Sequence, residues 1–346
     1  MEKTAAASAP NKIILAGEHS VVYGGKAISV PVEVNSRRNR AVASTTKGSG
    51  RIAVTAGRLT STLLDGKTTG DREYFPILHA VDAALKSHAK ELLAESDVHI
   101  TLHFSGAPKG TGNSASMSAA AVCAACAEAG CILSREELFD AVMVAENEYH
   151  AGKASGLDPM TVCSDEPLVF RKVFSKRGIR FDYAQKRLSL PEGSALLLVS
   201  ALFAGKRAYT DEMISAFARV NRIDCPPESL SQERRKELVA PYDMLVEEME
   251  KELRPSGSME ALGELFDDNH ALLSCSDVSC HSIERVRKIA RNAGALGAKL
   301  TGAGGNGGCV LILAASEDAE NVRDALQKQD FKCFEASFSH RGAGID

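Results

Sequence analysis

The residues whose types and spacing could do chemistry fall in short, separate stretches. The first is Pro108-Lys109-Gly110-Thr111-Gly112-Asn113-Ser114-Ala115-Ser116, which follows an alternating apolar run over 98–104 and leads into an alanine-rich segment. Strand, glycine loop and helix in that order suit a polyphosphate: the glycines let backbone N–H groups approach an anion, and the helix N-terminus adds unpaired donors and partial positive charge. It is not the common P-loop, because no Gly-Lys-Ser/Thr closes it, and a simple turn would also use glycine here. Asp158 ends the loop Ala151-Gly152-Lys153-Ala154-Ser155-Gly156-Leu157-Asp158. Beside a phosphate site such an acid could accept a hydroxyl proton, although loop aspartates usually cap or turn. Lys12 begins an otherwise apolar strand, and Glu18-His19 lies in the turn after it, where solvated residues are the ordinary expectation. Glu146 and Glu148 stand near the end of a helix, where a carboxylate opposes the macrodipole and a cation would offset that cost.

These side chains need elements to position them. After a short disordered start, two strands joined by a tight polar loop are expected over 11–34, a further strand over 51–56, and a helix over 75–93. The spacing predicts a helix over 134–149, with Ser134 and Glu137 forming a capping box. A strand over 168–174 follows, and the texture changes near 190–194. Beyond it the pattern reads strand 195–200, helices 208–220, 229–253, 259–273 and 280–293, strand 309–314, helix 318–329 and strand 333–339. Strands alternating with helices in this half suggest an α/β sandwich. A second glycine-rich loop, Gly302-Ala303-Gly304-Gly305-Asn306-Gly307-Gly308, follows Ala298-Lys299-Leu300-Thr301. One such loop in each half suggests a ligand gripped from two lobes.

At 346 residues, two lobes are the first expectation, divided here as 8–190 and 195–340. A net charge of −4 gives no broad basic field for nucleic acid or a membrane surface, so neither is an expected partner, and a polyanion must be met locally. The nine cysteines are odd in number and lack framework spacing. With no apolar targeting core or membrane-length apolar run, they read as reduced thiols of a cytoplasmic protein. Cys123 and Cys126 form C-x-x-C but have no second ligand pair nearby, so small apolar helix residues are the better reading.

Taken together, Ala9-Pro10-Asn11-Lys12 with Glu18-His19-Ser20-Val21-Val22-Tyr23-Gly24, the loop at 108–116, and Lys299-Leu300-Thr301-Gly302-Ala303-Gly304-Gly305 resemble, in order, the three motifs of the galactokinase, homoserine kinase, mevalonate kinase and phosphomevalonate kinase (GHMP) superfamily. The stretch at 17–24 is most similar to the mevalonate kinase branch. Galactokinases carry Thr-Asp-Tyr after the histidine, where Val stands here.

The resemblance implies an α+β, two-lobed GHMP kinase fold. Its N-terminal lobe is like domain 2 of ribosomal protein S5, and its C-terminal lobe is a ferredoxin-like α/β sandwich. It implies an ATP-dependent phosphotransferase acting on the 5-hydroxyl of mevalonate, with Mg²⁺ as cofactor and ATP and mevalonate as small-molecule partners. Related kinases often dimerise, so a homodimer is among the expected assemblies. Carried over by motif, Asp158 is the acid-base residue and Lys12 lies near the transferred phosphoryl, while Glu18, His19 and Thr210 hold the substrate. Ser105, Gly110, Thr111, Gly112, Asn113, Ser114, Ala115 and Ser116 hold the nucleotide, and Ser116 and Glu146 hold the metal. Glu148 is the fallback for Glu146, because rigid counting back from Asp158 lands on Asn147. The usual Gly-Leu-Gly-Ser-Ser core reads Gly112-Asn113-Ser114-Ala115-Ser116, losing the first serine of the pair and keeping the second. Sister acceptors (phosphomevalonate, homoserine or a sugar) and a non-catalytic ligand sensor are the alternatives.

Overall fold

Strands that alternate buried and exposed residues build one sheet and continuously buried runs the centre of a second, each backed by helices, in a computed structural model that describes residues 4–152, 154–201, 210–306 and 308–346. The strands are β1 Thr4–Ala9, β2 Asn11–Ala16, β3 Lys26–Val34, β4 Asn39–Lys47, β5 Ile52–Ala56, β6 Leu59–Leu64, β7 Lys67–Thr69, β8 Ser96–His103, β9 Leu168–Ser175, β10 Gly178–Gln185, β11 Ser194–Ser200, β12 Gly297–Thr301, β13 Cys309–Ala315, β14 Cys333–Phe338 and β15 Gly344–Ile345. The helices are α1 Phe75–His88, α2 Lys90–Glu95, α3 Asn113–Glu128, α4 Arg135–Tyr149, α5 Leu157–Val162, α6 Thr210–Val220, α7 Gln232–Glu252, α8 Met259–Cys275, α9 His281–Asn292 and α10 Ala319–Gln327.

One sheet runs β15-β1-β4-β8-β5-β6-β7 and the other β10-β9-β3-β14-β11-β13-β12, with β2 alongside β3. Both take strands from each side of the expected division near residue 190. Thus β2 and β3 share a sheet with β11 to β14, while β15 pairs with β1 near the chain's beginning. This interleaving brings the strand carrying Lys12 beside the late glycine loop.

Residues 4–9 are a strand, not a disordered start: β1 pairs with β4 from Thr4↔Ser44 to Ala9↔Asn39. Alanine is a poor strand former in isolation, and the gain here is tertiary. Ala7, Ala9, Ala41 and Ala43 are buried against Ala115, Ala119, Ala120 and other small residues of α3, so the helix lies close on the sheet. The helix expected over 75–93 breaks at Ala89, whose φ of −149° and ψ of 41° lie outside the helical region, leaving α1 and α2. The Ser134 capping box forms as expected. Residues 208 and 209 of the expected helix over 208–220 lie outside the described residues, and α6 is described from Thr210. Among the described residues no helix is long and apolar enough to cross a membrane.

Candidate active site

A cavity of about 530 Å³ opens between the two glycine loops, and both halves of the chain line it. The loops meet: a Cβ placed on Gly302 would lie 3.0 Å from the Gly110 carbonyl oxygen. The first loop is tied to β2 through backbone, since the Lys12 N–H donates to the Thr111 carbonyl at 2.9 Å. The second is tied through Thr301, whose Oγ1 donates to the Ile14 carbonyl and accepts the Ile14 N–H, at 3.0 and 3.1 Å.

Asn113 shows what the departure from the usual glycine core does. Its Nδ2 donates to the carbonyls of Ala107 and Pro108, and its Oδ1 accepts from Asn11 Nδ2 at 2.8 Å. A side chain in place of leucine therefore staples the loop shut. Gly112 enters α3 at φ 67°, a conformation glycine adopts cheaply, and a Cβ there would meet the Lys12 stem at 2.6 Å. Among the described residues no side chain caps α3. Its first-turn N–H groups are left for an anion, as a phosphate site needs.

Lys12 Nζ lies 2.8 Å from Asp158 Oδ1, with the side chains 4% and 24% exposed. Asp158 stands in the first turn of α5, entered through Gly156 at φ 82°. Both residues line the cavity. The pair joins a positive donor, suited to a developing negative charge, to a carboxylate suited to taking a proton.

Glu146, from the last turns of α4, is buried and lines the cavity. His150 Nε2 lies 3.4 Å from its Oε2, while its Oε1 has no partner among the described residues. A buried carboxylate oxygen without a partner is the observation that a cation would explain. Glu148 is turned to His79, 2.6 Å away, and does not line the cavity. Ser116 departs from its expected place. It is fully buried, accepts from Asn39 Nδ2 at 2.9 Å, donates to the Ala9 carbonyl at 3.2 Å, and does not line the cavity. Two residues earlier, Ser114 does line it. The physical reason is helix phase, because residues two apart point to different sides.

Ser105 also stands behind the loop rather than in the cavity lining. Its Oγ donates to Asn11 Oδ1 at 2.8 Å, and its N–H donates to Asn39 Oδ1. Gly110 and Gly112 line the cavity; Thr111 and Ala115 are buried. Glu18 lines the cavity but is fully buried in an ion pair with Lys299. His19, at φ 61°, sets its Nε2 3.0 Å from the Ala303 carbonyl and stacks on Phe217 at 5.4 Å. Burial pushes its imidazole down to about 4, so it is neutral at ordinary pH. Thr210 lines the cavity from the start of α6.

Asn11, Asn39, His150 and, above all, Lys299 make contacts at the site that the sequence motifs gave them no role for. The available signal for Lys299 was the same as for Lys12: a lysine in an otherwise apolar strand next to a glycine loop.

The chain matches two family models, GHMP kinases N terminal domain over residues 76–165 and GHMP kinases C terminal over 245–332. It belongs to the GHMP kinases and is an ATP-dependent kinase. Among named relatives it is similar to mevalonate kinase of Pyrococcus abyssi, 33% identical with 92% of this chain and 91% of that one covered. It is likewise similar to mevalonate kinase of Pyrococcus horikoshii, 30% identical over 92% and 91%. Its fold matches the crystal structure of L. major mevalonate kinase in complex with R-mevalonate at a TM-score of 0.75 and 23% identity, over 98% of this chain and 97% of that one.

Proposed function

We propose that the chain transfers the γ-phosphoryl group of ATP to the 5-hydroxyl of mevalonate. The observation that carries the reading is the Lys12–Asp158 pair, 2.8 Å apart on the wall of the cavity that the two glycine loops enclose. The identity of the named relatives supports the acceptor.

In this reading the loop amides and the uncapped start of α3 bind the phosphates, and Lys12 faces the charge that develops on the transferred group. Asp158 accepts the hydroxyl proton as the new O–P bond forms, and the bond to the leaving diphosphate oxygen breaks. Mg²⁺ is expected with ATP and supplies charge neutralisation on the phosphate oxygens when bound. Glu146, through its unpartnered Oε1, and Ser114 would hold it, in place of the expected Ser116. His19 and Thr210 shape the acceptor end, with His19 fixed neutral by its burial against Phe217.

The test is ATP consumption in the presence of mevalonate, phosphomevalonate, homoserine and galactose in turn. Turnover with mevalonate well above the others is expected. A preference for another acceptor would replace mevalonate with that acceptor, and a flat response to all four would sink the kinase assignment of the site.

A further inference from the structure

Lys299 sits on β12, where every residue is buried, and its own side chain is 0% exposed. A lysine has no reason to be there unless its charge is answered, because removing an ammonium from water without a partner is costly. Its three donors are all used: one on Glu18 Oε1, one on the Leu300 carbonyl at 2.8 Å and one on the Ile14 carbonyl at 3.3 Å. The ammonium thus joins β2, β12 and the turn after β2. Glu18 is equally buried, yet only one of its oxygens is answered; Oε2 has no partner among the described residues, and the residue lines the cavity.

We infer that Lys299 is a positioning residue, holding Glu18 ionised and fixed so that its second oxygen is left to accept a hydroxyl of the alcohol substrate. The inference rests on the acceptor reading above. Without Lys299, burial alone would favour the protonated acid, which would donate where it should accept; burial already pulls the Glu18 carboxyl above its ordinary range, and the Lys299 ammonium opposes that. The other groups facing the pair are Lys12 on β2, Tyr242 of α7, His270 of α8 and Cys309 of β13. Burial raises the Tyr242 hydroxyl, pushes the Cys309 thiol up to about 12 and holds His270 down at about 4, so none of these three changes charge between pH 6 and 9.

The experiment compares wild type, Glu18→Gln, Lys299→Met and the double variant by steady-state kinetics from about pH 6 to 9, with a melting curve for each. For Lys299→Met, the KM for mevalonate should rise at least about tenfold while the KM for ATP stays within about twofold. Its kcat/KM for mevalonate should also climb with pH beyond the wild-type slope, a climb absent from the double variant. Equal rises in both KM values, or the same pH profile in the single and double variants, would overturn the inference. Where Lys299→Met does not fold, the double variant is set against Glu18→Gln. Equal KM values for mevalonate support a role exerted through Glu18, and a further tenfold loss overturns it. Should wild type prefer another of the four acceptors, that failure belongs to the acceptor reading, and the same split is read with the preferred acceptor.

Discussion

Two ion pairs stand at the same cavity, built from the same strand and the turn after it, and they differ in solvent access. Lys12–Asp158 is open on the acid side, with Asp158 24% exposed, whereas Glu18–Lys299 is closed, with neither side chain exposed. An accessible pair can exchange its partner for substrate atoms at small cost, because water and substrate both compensate the charges. A sealed pair cannot; breaking it leaves a buried charge, at a cost of about 3–5 kcal/mol. On the proposed function, that difference separates chemistry from framework: the open pair would react, and the closed one would hold the wall against which the acceptor is positioned.

The comparison breaks first at Asp158. Asp158→Asn keeps the size and removes the proton acceptor, so kcat should fall by at least about a hundredfold with the melting temperature nearly unchanged. Lys12→Met should lose a similar factor through the missing positive charge. Near-normal turnover by a folded Asp158→Asn protein would show that the open pair is another framework contact.

The two pairs also differ in how far they could be read from the chain. Asp158 follows a glycine-punctuated loop and Lys12 opens an apolar strand, signals local enough to be seen. Glu18 and Lys299 were visible separately, but their pairing depends on β2 and β12 meeting through Thr301 and Ile14, which no local pattern specifies. The helices of the second half were legible from their periodicity, because large apolar residues such as Phe217, Phe266 and Leu326 mark the buried faces. β1 was not, because its core residues are alanines, whose burial depends on the close approach of α3. Ser105 and Ser116 resemble the family's nucleotide serines in spacing, yet Asn11 and Asn39 engage their hydroxyls, a link made across the fold.

The acids of α4 sharpen the comparison next. Glu146→Gln should raise the apparent Mg²⁺ requirement by about tenfold or more, because a buried, unpartnered carboxylate oxygen is replaced by a weaker neutral ligand. Glu148→Gln should change it less than about twofold, since that carboxylate faces His79 outside the cavity. Equal small changes would remove Glu146 from the metal's surroundings. A magnesium titration of initial rate reads both.

The closed side should also respond to acid. His19 borders Glu18, and His270 Nδ1 accepts the Leu300 N–H beside Lys299; burial holds both imidazoles near 4, against about 6.5 when unfolded. Between those values the unfolded chain takes up more protons. The stability these two histidines contribute is therefore fully present above about pH 6.5 and falls as pH drops towards 4, by up to about 1.4 kcal/mol per unit for each histidine, while His150, raised by Glu146, contributes in the opposite sense. Urea unfolding at pH 7.5 and 5.5 measures the fall, and His19→Gln should make it shallower. A His19→Gln protein whose unfolding free energy falls as steeply as that of wild type would mean that His19 does not stay neutral in the folded protein.

The smallest effect separates Ser114 from Ser116. Ser116→Ala strands the Asn39 Nδ2 and Ala9 carbonyl contacts inside the N-terminal core, so it should cost about 1–2 kcal/mol of stability and leave the Mg²⁺ requirement of the folded protein alone. Ser114→Ala removes a hydroxyl from a residue lining the cavity, so it should raise the Mg²⁺ requirement a few-fold and change stability by less than about 0.5 kcal/mol. The two losses exchange if α3 is turned so that Ser116 faces the phosphates. That result would restore the family spacing and imply that the Asn113 staple, not helix phase, is what the altered glycine core changes. If the prediction holds instead, the first turn of α3 divides its serines as the cavity divides its ion pairs, one side chain for the metal and one for the frame.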